Sequence, residues 1–390
     1  MNIEPVLDLI PTATPHDLVR LLRMAAEPLS AGDINLYLVD FAGVVLQPVL
    51  LDPELSDPVV PEEDVASSMA GRAFVTGQPV TVERDGEVKV WVPLVERGER
   101  TGVVALSVTD ASDDVLLDCE RLGIFAGVLV RAFARTTDLF HLRRRGQSMS
   151  LAAGMQWDLL PPLSVRSSEV LAAGRLEPAY EIAGDAFDYA LNGRVLEAAL
   201  FDGMGHGVES TLMTTLAMGA YRHARRINEP PARIYSAIDE VVASQYDGDA
   251  FVTAVLVRLA LEDGTMEWTN AGHPPPLLLR GKRVARVLNC APSLPLGLGG
   301  ECRQVAVENL EPGDAVLFFT DGVIEGRSPE GEEFGIDRLI WAWEQEWASG
   351  RPPEEVLRRT VQAVSAFTDG HLRDDATVLQ LCWYGPNGRS

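Results

Sequence analysis

Four aspartates stand at the ends of apolar segments, where the strands of a sheet would bring their carboxyl groups to one edge. They are Asp185 in Ala-Gly-Asp-Ala-Phe-Asp, Asp202 in Phe-Asp-Gly-Met-Gly, Asp321 in Phe-Thr-Asp-Gly and Asp374 in Arg-Asp-Asp-Ala-Thr. Gathered carboxylates repel one another by on the order of 4 kcal/mol per pair at about 4 Å near a protein surface, so a protein that gathers several usually binds a cation there. Oxygen ligands favour Mg²⁺ or Mn²⁺ over zinc. The pattern therefore predicts a metal site.

The composition excludes several classes of protein. The 390 residues are long enough for two or three domains, and 46% of them are apolar, as in globular proteins. A net charge of −24 argues against nucleic acid and anionic membrane surfaces as partners. The longest apolar run, residues 124–130, is too short to cross a bilayer. The N-terminus lacks the pattern of a signal peptide, and the four cysteines are scattered. We expect a cytoplasmic protein with reduced thiols.

The first part of the chain reads as a small α+β domain. Helical spacing follows a Thr-Pro start over residues 14–30, and a second helix is predicted over 62–75. Strand-like runs surround that second helix. A polar turn at residues 97–100 lies between two of them, which predicts an antiparallel hairpin over 88–108.

This first part resembles a GAF domain over about residues 14–135. The resemblance rests on three segments: Gly71-Arg72-Ala73-Phe74-Val75-Thr76-Gly77-Gln78-Pro79-Val80, Val92-Pro93-Leu94 and Thr101-Gly102-Val103-Val104-Ala105-Leu106. GAF domains can bind cyclic nucleotides, haem or small metabolites, and some bind no ligand. Two interpretations stay open, a sensor of a small molecule and a structural or dimerising module. We place this domain at residues 1–112.

Residues 113–160 are predicted to form one long helix, because no proline interrupts the segment before Pro161. Its apolar positions keep a heptad only in part, which allows a short coiled coil. Three consecutive arginines, 143–145, fit a solvated helix face. We interpret the segment as a helical linker that could carry a homodimer interface and a signal into the domain that follows.

Residues 161–390 alternate strands joined by turns with pairs of amphipathic helices. Strands are expected over 165–176, 195–201, 251–261, 266–270, 315–320 and 376–383, among others, and helices over 211–226, 232–245, 337–348 and 353–367. Strands that follow one another through hairpins argue for two antiparallel sheets covered by helices, an α+β architecture, rather than a Rossmann fold.

From residue 150 to residue 384 the chain resembles the metal-dependent protein phosphatases of the protein phosphatase 2C class. Within that class it is similar to the bacterial branch of stage II sporulation protein E and the regulators of stress sigma factors. Seven segments in the same order carry the resemblance: Met155-Gln156-Trp157-Asp158-Leu159-Leu160-Pro161, Ala183-Gly184-Asp185-Ala186-Phe187-Asp188, Asp202-Gly203-Met204-Gly205-His206-Gly207, Asn270-Ala271-Gly272-His273-Pro274, Leu294-Pro295-Leu296-Gly297, Phe319-Thr320-Asp321-Gly322 and Asp374-Asp375-Ala376-Thr377.

The resemblance implies a β-sandwich flanked by helices and hydrolysis of a phosphoester by a water that two metal ions activate. By position, Asp202 should bridge both ions with help from the Gly203 carbonyl. Asp321 and Asp374 should bind metal, and Asp185 should act directly or through water. No serine or cysteine nucleophile with a neighbouring base stands in the motifs, which agrees with this chemistry.

Several neighbouring residues keep two interpretations. Asp188 and Asp375 would be site residues or merely solvated, turn-capping carboxylates. His206 and His273 could protonate the leaving oxygen, although histidines in such turns often only bind the backbone. Glu325 is a weaker candidate of the same kind.

The chain departs from the wider phosphatase class at the phosphate-binding arginine. Residues 179–183 contain no arginine before the first acid, and Ala183 replaces a common glycine. The sporulation branch also lacks this arginine, so activity is still expected. Phosphate binding would then fall to the metal ions, with Arg175 and Arg373 as the candidate side chains.

The predicted function is that of a Mn²⁺- or Mg²⁺-dependent protein serine/threonine phosphatase with two ions, controlled by the N-terminal domain. The resemblance implies a phosphorylated anti-sigma-factor antagonist as the substrate. Two alternatives stay open. One is a catalytically inactive, phosphatase-like binding module, and the other is a hydrolase of small phosphoesters.

Overall fold

The computed structural model describes residues 3–49, 60–84, 86–178, 180–181 and 184–388. The chain divides into two compact units, Met1–Ser148 and Met149–Ser390. No helix within these described ranges is long and apolar enough to span a membrane.

The N-terminal unit is built on one antiparallel sheet. Its strands are β1 (Asn35–Val39), β2 (Val45–Pro48), β3 (Glu63–Asp64), β4 (Val80–Arg84), β5 (Glu87–Glu96) and β6 (Glu99–Val108). They lie side by side in the order β3-β2-β1-β6-β5-β4. β5 and β6 form the predicted hairpin, in which Glu96 pairs with Glu99 across the two turn residues Arg97 and Gly98. Both turn residues have positive φ, 50° and 90°, as a tight two-residue hairpin turn requires.

Within the described residues, five helices accompany this sheet, together with short 3₁₀ turns at Ile10–Thr12, Pro15–Asp17 and Glu27–Leu29. The helices are α1 (Glu4–Leu7), α2 (Leu18–Ala25), α3 (Met69–Thr76), α4 (Asp113–Ala134) and α5 (Leu139–Arg144). The helix expected over 62–75 begins only at Met69, because Glu63 and Asp64 pair with β2 as strand β3. The Ser68 hydroxyl then caps α3 by accepting a hydrogen bond from the Gly71 amide.

The single helix predicted over 113–160 is divided into three. α4 ends at Ala134, α5 is short, and a new helix, α6 (Leu151–Leu159), follows. Ser150 is the N-cap of α6, since its hydroxyl accepts a hydrogen bond from the Ala153 amide at 3.0 Å. α4 and α5 belong to the N-terminal unit and α6 to the C-terminal unit. The coiled coil and the dimer interface stay predictions.

The C-terminal unit contains two antiparallel sheets. The first has the order β15-β12-β11-β10-β9 and the second the order β14-β13-β16-β17-β8-β7. Their strands are β7 (Ser164–Arg166), β8 (Val170–Glu177), β9 (Asp185–Asn192), β10 (Val195–Gly203), β11 (Val252–Ala260), β12 (Thr265–Ala271), β13 (Leu277–Arg280), β14 (Arg283–Val287), β15 (Ala306–Asn309), β16 (Ala315–Phe319) and β17 (Ala376–Trp383).

The core of this unit has three apolar layers. Phe187 and Trp268 of the first sheet pack with Phe318 of the second in one buried cluster. Helices cover the outer faces, where Tyr221 is buried against the first sheet and Trp343 against the second. The helices are α7 (Val208–Arg226), α8 (Pro231–Tyr246), α9 (Asp321–Glu325), α10 (Gly335–Ala348) and α11 (Pro353–Phe367). The predicted β-sandwich flanked by helices is therefore confirmed.

Candidate functional site

Asp185 and Asp202 lie on neighbouring strands of the first sheet. Asp185 begins β9 and Asp202 stands near the end of β10, and the two are direct partners in the antiparallel register. On its other side Asp202 pairs with Thr253 of β11. Asp185 is only 3% exposed, whereas Asp202 is half-buried. Partners on adjacent strands point to the same face of a sheet, so this pairing brings two acids together.

Asp321 and Asp374 come from the second sheet. Asp321 follows β16 as the first residue of α9, and Asp374 stands two residues before β17. The two segments approach closely at Gly322, where an added Cβ would lie 2.0 Å from the carbonyl oxygen of Asp375. Only glycine fits at this position. The Asp-Gly pair therefore places Asp321 beside the Asp374-Asp375 pair.

The acids from the two sheets lie close enough for their charges to act on one another. Burial, followed by the charges of Asp321, Asp374 and Asp375, raises the pKa of Asp202 to about 8. Burial, followed by Asp202 and Asp375, raises the pKa of Asp185 well above its usual value. The pKa of Asp374 is raised by loss of water around its carboxyl group and by Asp321. All four predicted aspartates thus stand in one group.

The cluster is not a ready-made coordination sphere. Across the described ranges, no three acidic, histidine or cysteine side chains are grouped so that they could hold a metal ion as they stand. The donor set, carboxylates plus main-chain carbonyls, nevertheless suits a hard divalent cation. A bound cation would also relieve the repulsion between these acids, which adds to burial in raising their pKa values.

Three residues, Thr320, Asp375 and Gln156, hydrogen-bond to Asp185 and form the polar support of the site. The Thr320 hydroxyl donates a hydrogen bond to Asp185 Oδ2 at 2.8 Å. Asp375 is 1% exposed, and its Oδ2 accepts hydrogen bonds from the Asp185 amide at 3.1 Å and from Gln156 Nε2 at 3.0 Å. Gln156 Nε2 also donates to the Asp185 carbonyl at 2.6 Å. Asp375 therefore fixes the position of Asp185, and Gln156 fixes both.

The first turns of α7 hold the two glycines next to the acids. The Ser210 hydroxyl donates to the Gly203 carbonyl at 2.8 Å, and the Thr214 hydroxyl donates to the Gly184 carbonyl at 2.6 Å. A Cβ added at Gly203 would lie 2.5 Å from Thr214 Oγ1. Glycine is thus required at 203 by the close packing of α7, in addition to any approach of its carbonyl to a metal.

The sequence alone does not reveal the role of four of these supporting residues, Gln156, Thr320, Ser210 and Thr214. Gln156 and Thr320 lie inside the segments that carry the family resemblance, and this position is the sequence signal that could indicate a role at the site. Ser210 and Thr214 occur at four-residue spacing on α7. The contact of Thr214 with Gly184 spans 30 positions of the chain, and no local pattern predicts it.

Asp188 lies apart from the cluster. Its side chain is 1% exposed and forms ion pairs with Arg222 Nε at 2.7 Å and with Arg225 Nη1 at 2.9 Å. It stands three positions from Asp185 along β9, so the two side chains point to opposite faces of the strand. Asp188 is therefore an ion-pair residue of the packing between β9 and α7.

The other candidate acids and bases differ in their surroundings. His273 is 5% exposed, its Nδ1 lies 2.8 Å from Thr253 Oγ1, and burial lowers its pKa to about 3. It is therefore neutral at physiological pH and cannot supply a proton as an imidazolium. His206 is exposed and close enough to Asp374 to lower the pKa of that carboxyl group. Glu325 is exposed at the end of α9.

The raised pKa values predict how the stability of the metal-free protein depends on pH. Asp202 (pKa about 8) and Asp375 (pKa about 7, raised chiefly by burial) hold protons in the folded state that the unfolded chain releases above its value of 3.8. The free energy of unfolding should thus fall by several kcal/mol as the pH rises from about 4, near the unfolded pKa, to about 8.

Urea unfolding in the presence of a chelator, monitored by tryptophan fluorescence, measures this dependence. Saturating Mn²⁺ should flatten it, because the cation replaces the protons. A free energy of unfolding that is constant or rises over the same pH window would contradict the assignment of a repulsive acid cluster.

Comparisons with known proteins relate the C-terminal unit to a family of phosphatases. A family model described as stage II sporulation protein E matches residues 192–384. The chain is 24% identical over 237 residues to the phosphoserine phosphatase RsbU of Bacillus subtilis. The matched residues cover 60% of this chain and 69% of that protein. It is 23% identical over 201 residues to stage II sporulation protein E of the same organism, covering 51% of this chain and 24% of that protein.

One solved structure shows the same fold. The SiaA-PP2C domain of Pseudomonas aeruginosa superposes on this chain with a TM-score of 0.50 at 21% sequence identity. The superposition covers 60% of this chain and 93% of that one.

Proposed function

Because the C-terminal unit of this chain belongs to the stage II sporulation protein E family of PP2C-type protein serine/threonine phosphatases, we propose that it hydrolyses a phosphoserine or phosphothreonine ester with two bound Mn²⁺ or Mg²⁺ ions. The observation that carries the proposal is the convergence of Asp185 and Asp202 from one sheet with Asp321 and Asp374 from the other. An inactive binding module would have no use for acids that destabilise one another.

Asp202, Asp321 and Asp374 would hold the ions together with the Gly203 carbonyl, and Asp185 would act directly or through water. When bound, divalent ions lower the pKa of water and neutralise the charge that develops on the phosphoryl oxygens. The carbonyl of Gly203 keeps a lone pair for this role, since Ser210 donates only one hydrogen bond to it.

The protein's own contribution is to orient these ligands. Thr320 and the β9–β10 pairing fix the carboxylate of Asp185, while Asp375 and Gln156 fix its main chain. Such preorganisation places the charges before the substrate arrives. The chain carries a net charge of −24, so cations at the site would also be needed to receive an acidic phosphate group.

The proposed substrate is a phosphorylated regulatory protein of the anti-sigma-factor antagonist type. Membership of the family and the similarity to the phosphoserine phosphatase RsbU support this choice. We propose further that the N-terminal unit is a GAF-like sensor, with a small-molecule ligand as one candidate signal, and that the active protein is a cytoplasmic homodimer.

A dephosphorylation assay tests the catalytic proposal. We expect the full-length chain to release phosphate from a phosphoserine protein of this type with Mn²⁺ or Mg²⁺, and to lose this activity with a chelator. Asp321→Asn should be inactive, whereas the matched control Asp337→Asn, an exposed aspartate on α10, should keep full activity. Metal-dependent activity that survives in Asp321→Asn would overturn the site assignment.

The choice of substrates separates the remaining alternatives. Turnover of p-nitrophenyl phosphate and other small esters without turnover of any phosphoprotein would favour a hydrolase of small phosphoesters. No turnover together with tight binding of a phosphoprotein would favour a binding module. Equal rates and equal oligomeric states for the full chain and for residues 149–390, once circular dichroism shows that this fragment folds, would contradict regulation by the N-terminal unit.

Gln156 offers a test of the positioning role proposed for the polar support. In Gln156→Leu, Asp375 keeps the Asp185 amide as a donor but loses the side-chain amide. We expect a loss of about 1–3 kcal/mol in the free energy of unfolding and Mn²⁺ affinity lower by about 10- to 100-fold. Titration calorimetry with Mn²⁺ measures the affinity. Unchanged affinity in the folded variant would show that Gln156 only packs.

A further inference from the structure

Two half-buried cysteines flank the segment 291–301 of the C-terminal unit. Cys290 precedes the segment and Cys302 follows it, and both have free thiols. The other two cysteines, Cys119 and Cys382, are buried. The site described above uses neither of the half-buried thiols.

Both sulfur atoms contact the same atom of the main chain. Cys290 Sγ and Cys302 Sγ each lie 3.6 Å from the carbonyl oxygen of Gln304, so the two sulfurs are separated by at most twice that distance. Thr269 Oγ1 contacts the same oxygen at 2.8 Å and Cys302 Sγ at 3.2 Å. The two thiols therefore lie close to the same carbonyl oxygen. Each belongs to one of the two arms of chain that flank the segment 291–301.

Hydrogen bonds hold the two arms side by side. The Ala291 amide donates to Gln304 Oε1 at 2.7 Å, and the Arg303 amide donates to Ser293 Oγ at 2.8 Å. Both cysteines lie outside the strands, so a change of side-chain rotamer and a small shift of the main chain break no ladder hydrogen bond. A disulfide requires such neighbouring arms, with Cα atoms about 4.4–6.8 Å apart.

An oxidant can reach this place from solvent. Next to Cys290, a cleft of about 240 Å³ opens between residues 286–289 and residues 306–308. Cys290 and Cys302 are both only half-buried as residues. A peroxide molecule therefore needs no opening of the core.

We propose that Cys290 and Cys302 form a reversible intrachain disulfide when the protein meets a hydroperoxide. One thiolate attacks a peroxide oxygen and becomes a sulfenic acid, and the peroxide leaves as water or as an alcohol. The second thiolate attacks that sulfur and expels hydroxide, which takes up a proton and leaves as water. In sum, two S–H bonds are replaced by one S–S bond and the peroxide is reduced. A dithiol reductant reverses the reaction.

The bridge would clamp a segment that borders the acid cluster. Leu296 exchanges two main-chain hydrogen bonds with Val252, at 2.9 and 2.8 Å, and the Gly297 amide donates to Asp239 at 2.8 Å. Val252 is next to Thr253, the register partner of Asp202. The disulfide thus restricts the edge of the sandwich beside the site, and its formation does not depend on the phosphatase activity proposed above.

Counting thiols in the full-length protein tests the proposal. After treatment with hydrogen peroxide, alkylation in denaturant should detect two fewer thiols, and mass spectrometry should find the peptides of Cys290 and Cys302 joined with the loss of two hydrogen atoms. Cys290→Ser and Cys302→Ser should give no joined peptide, while the matched control Cys119→Ala should behave as the parent protein. The oxidised parent should also unfold at a higher temperature than the reduced one, a difference that Cys302→Ser should abolish.

The pH dependence supplies a second readout. Burial raises the pKa of Cys290 above its ordinary value of 9.0, so disulfide formation should become faster as the pH rises from about 7 to about 9. The proposal would be overturned by sulfinic acids at both positions without a bridge, by a bridge between two chains on a non-reducing gel, or by loss of thiols only after unfolding.

Discussion

Replacing Asp202 by asparagine should reduce kcat/KM of the metal-dependent phosphatase by on the order of 10³-fold, and it should also stabilise the metal-free protein. The first effect follows from the loss of a charged residue that would hold the ions, because a bound cation supplies several kcal/mol of transition-state stabilisation. The second follows from the surroundings of Asp202, whose pKa is raised to about 8 by burial and by three neighbouring acids.

The opposite signs of these two effects make the test specific. A variant that merely misfolds would lose both activity and stability. Asp202→Asn instead keeps the shape of the side chain and removes the repulsion, so its free energy of unfolding at about pH 8, without metal, should exceed that of the parent by on the order of 2 kcal/mol.

Three measurements decide the outcome. Phosphate release with Mn²⁺ gives the activity, calorimetric titration gives the Mn²⁺ affinity, and urea unfolding with a chelator gives the stability. Asp337→Asn, an exposed aspartate on α10, is the matched control and should change the free energy of unfolding by less than about 0.5 kcal/mol. If Asp202→Asn binds Mn²⁺ as tightly as the parent, Asp202 does not hold the ions.

Much of the candidate site could be predicted from the sequence because its acids are marked locally. Each of the four aspartates ends or begins an apolar strand, and three of them stand next to a glycine at a tight turn. The β9–β10 register then makes Asp185 and Asp202 neighbours. What the pattern could not predict is the depth of each acid, since burial depends on helix α7 and on strands distant in the chain.

The hydrogen bonds that reach the site from distant parts of the chain could not be predicted from the sequence for the same reason. Gln156 reaches Asp375 across 219 positions of the chain, and Thr320 reaches Asp185 across 135. Residue types alone made Asp188 and Asp375 equivalent, as acids close to the principal ligands. The structure separates them, because one is bound to arginines of α7 and the other holds the main chain of Asp185.

The prediction of a single helix over 113–160 is wrong for a different physical reason. Apolar residues recur at helical spacing in the segment, and no proline marks an end to the helix before Pro161. The ends of the helices are instead marked by hydrogen bonds of threonine and serine side chains. The Thr136 hydroxyl bonds back to the Phe133 carbonyl at 3.2 Å after the end of α4, and Ser150 starts a new helix by capping it. Threonine and serine compete with helical hydrogen bonds in this way.

Asp188→Ala should be among the most destabilising single substitutions in the C-terminal unit, at about 3 kcal/mol. The carboxylate is 1% exposed, and its removal leaves the guanidinium groups of Arg222 and Arg225 without their principal anion. Breaking a buried ion pair from one side costs about 3–5 kcal/mol. The lower figure applies here because Arg225 keeps other favourable contacts. Glu197 lies close enough to interact with it, and Arg225 Cζ lies 5.0 Å from the centre of the Tyr221 ring.

The same variant separates an ion-pair role from a metal-binding role. Tryptophan fluorescence during urea unfolding reports mainly on the C-terminal unit, since Trp91 is the one tryptophan of the seven that lies before residue 149. Arg222→Ala leaves Asp188 paired with Arg225 and should cost only about 1 kcal/mol. Mn²⁺ affinity of the folded Asp188→Ala protein should equal that of the parent, because Asp188 points to the face of β9 opposite Asp185. A large loss of Mn²⁺ affinity with little loss of stability would instead place Asp188 in the metal site.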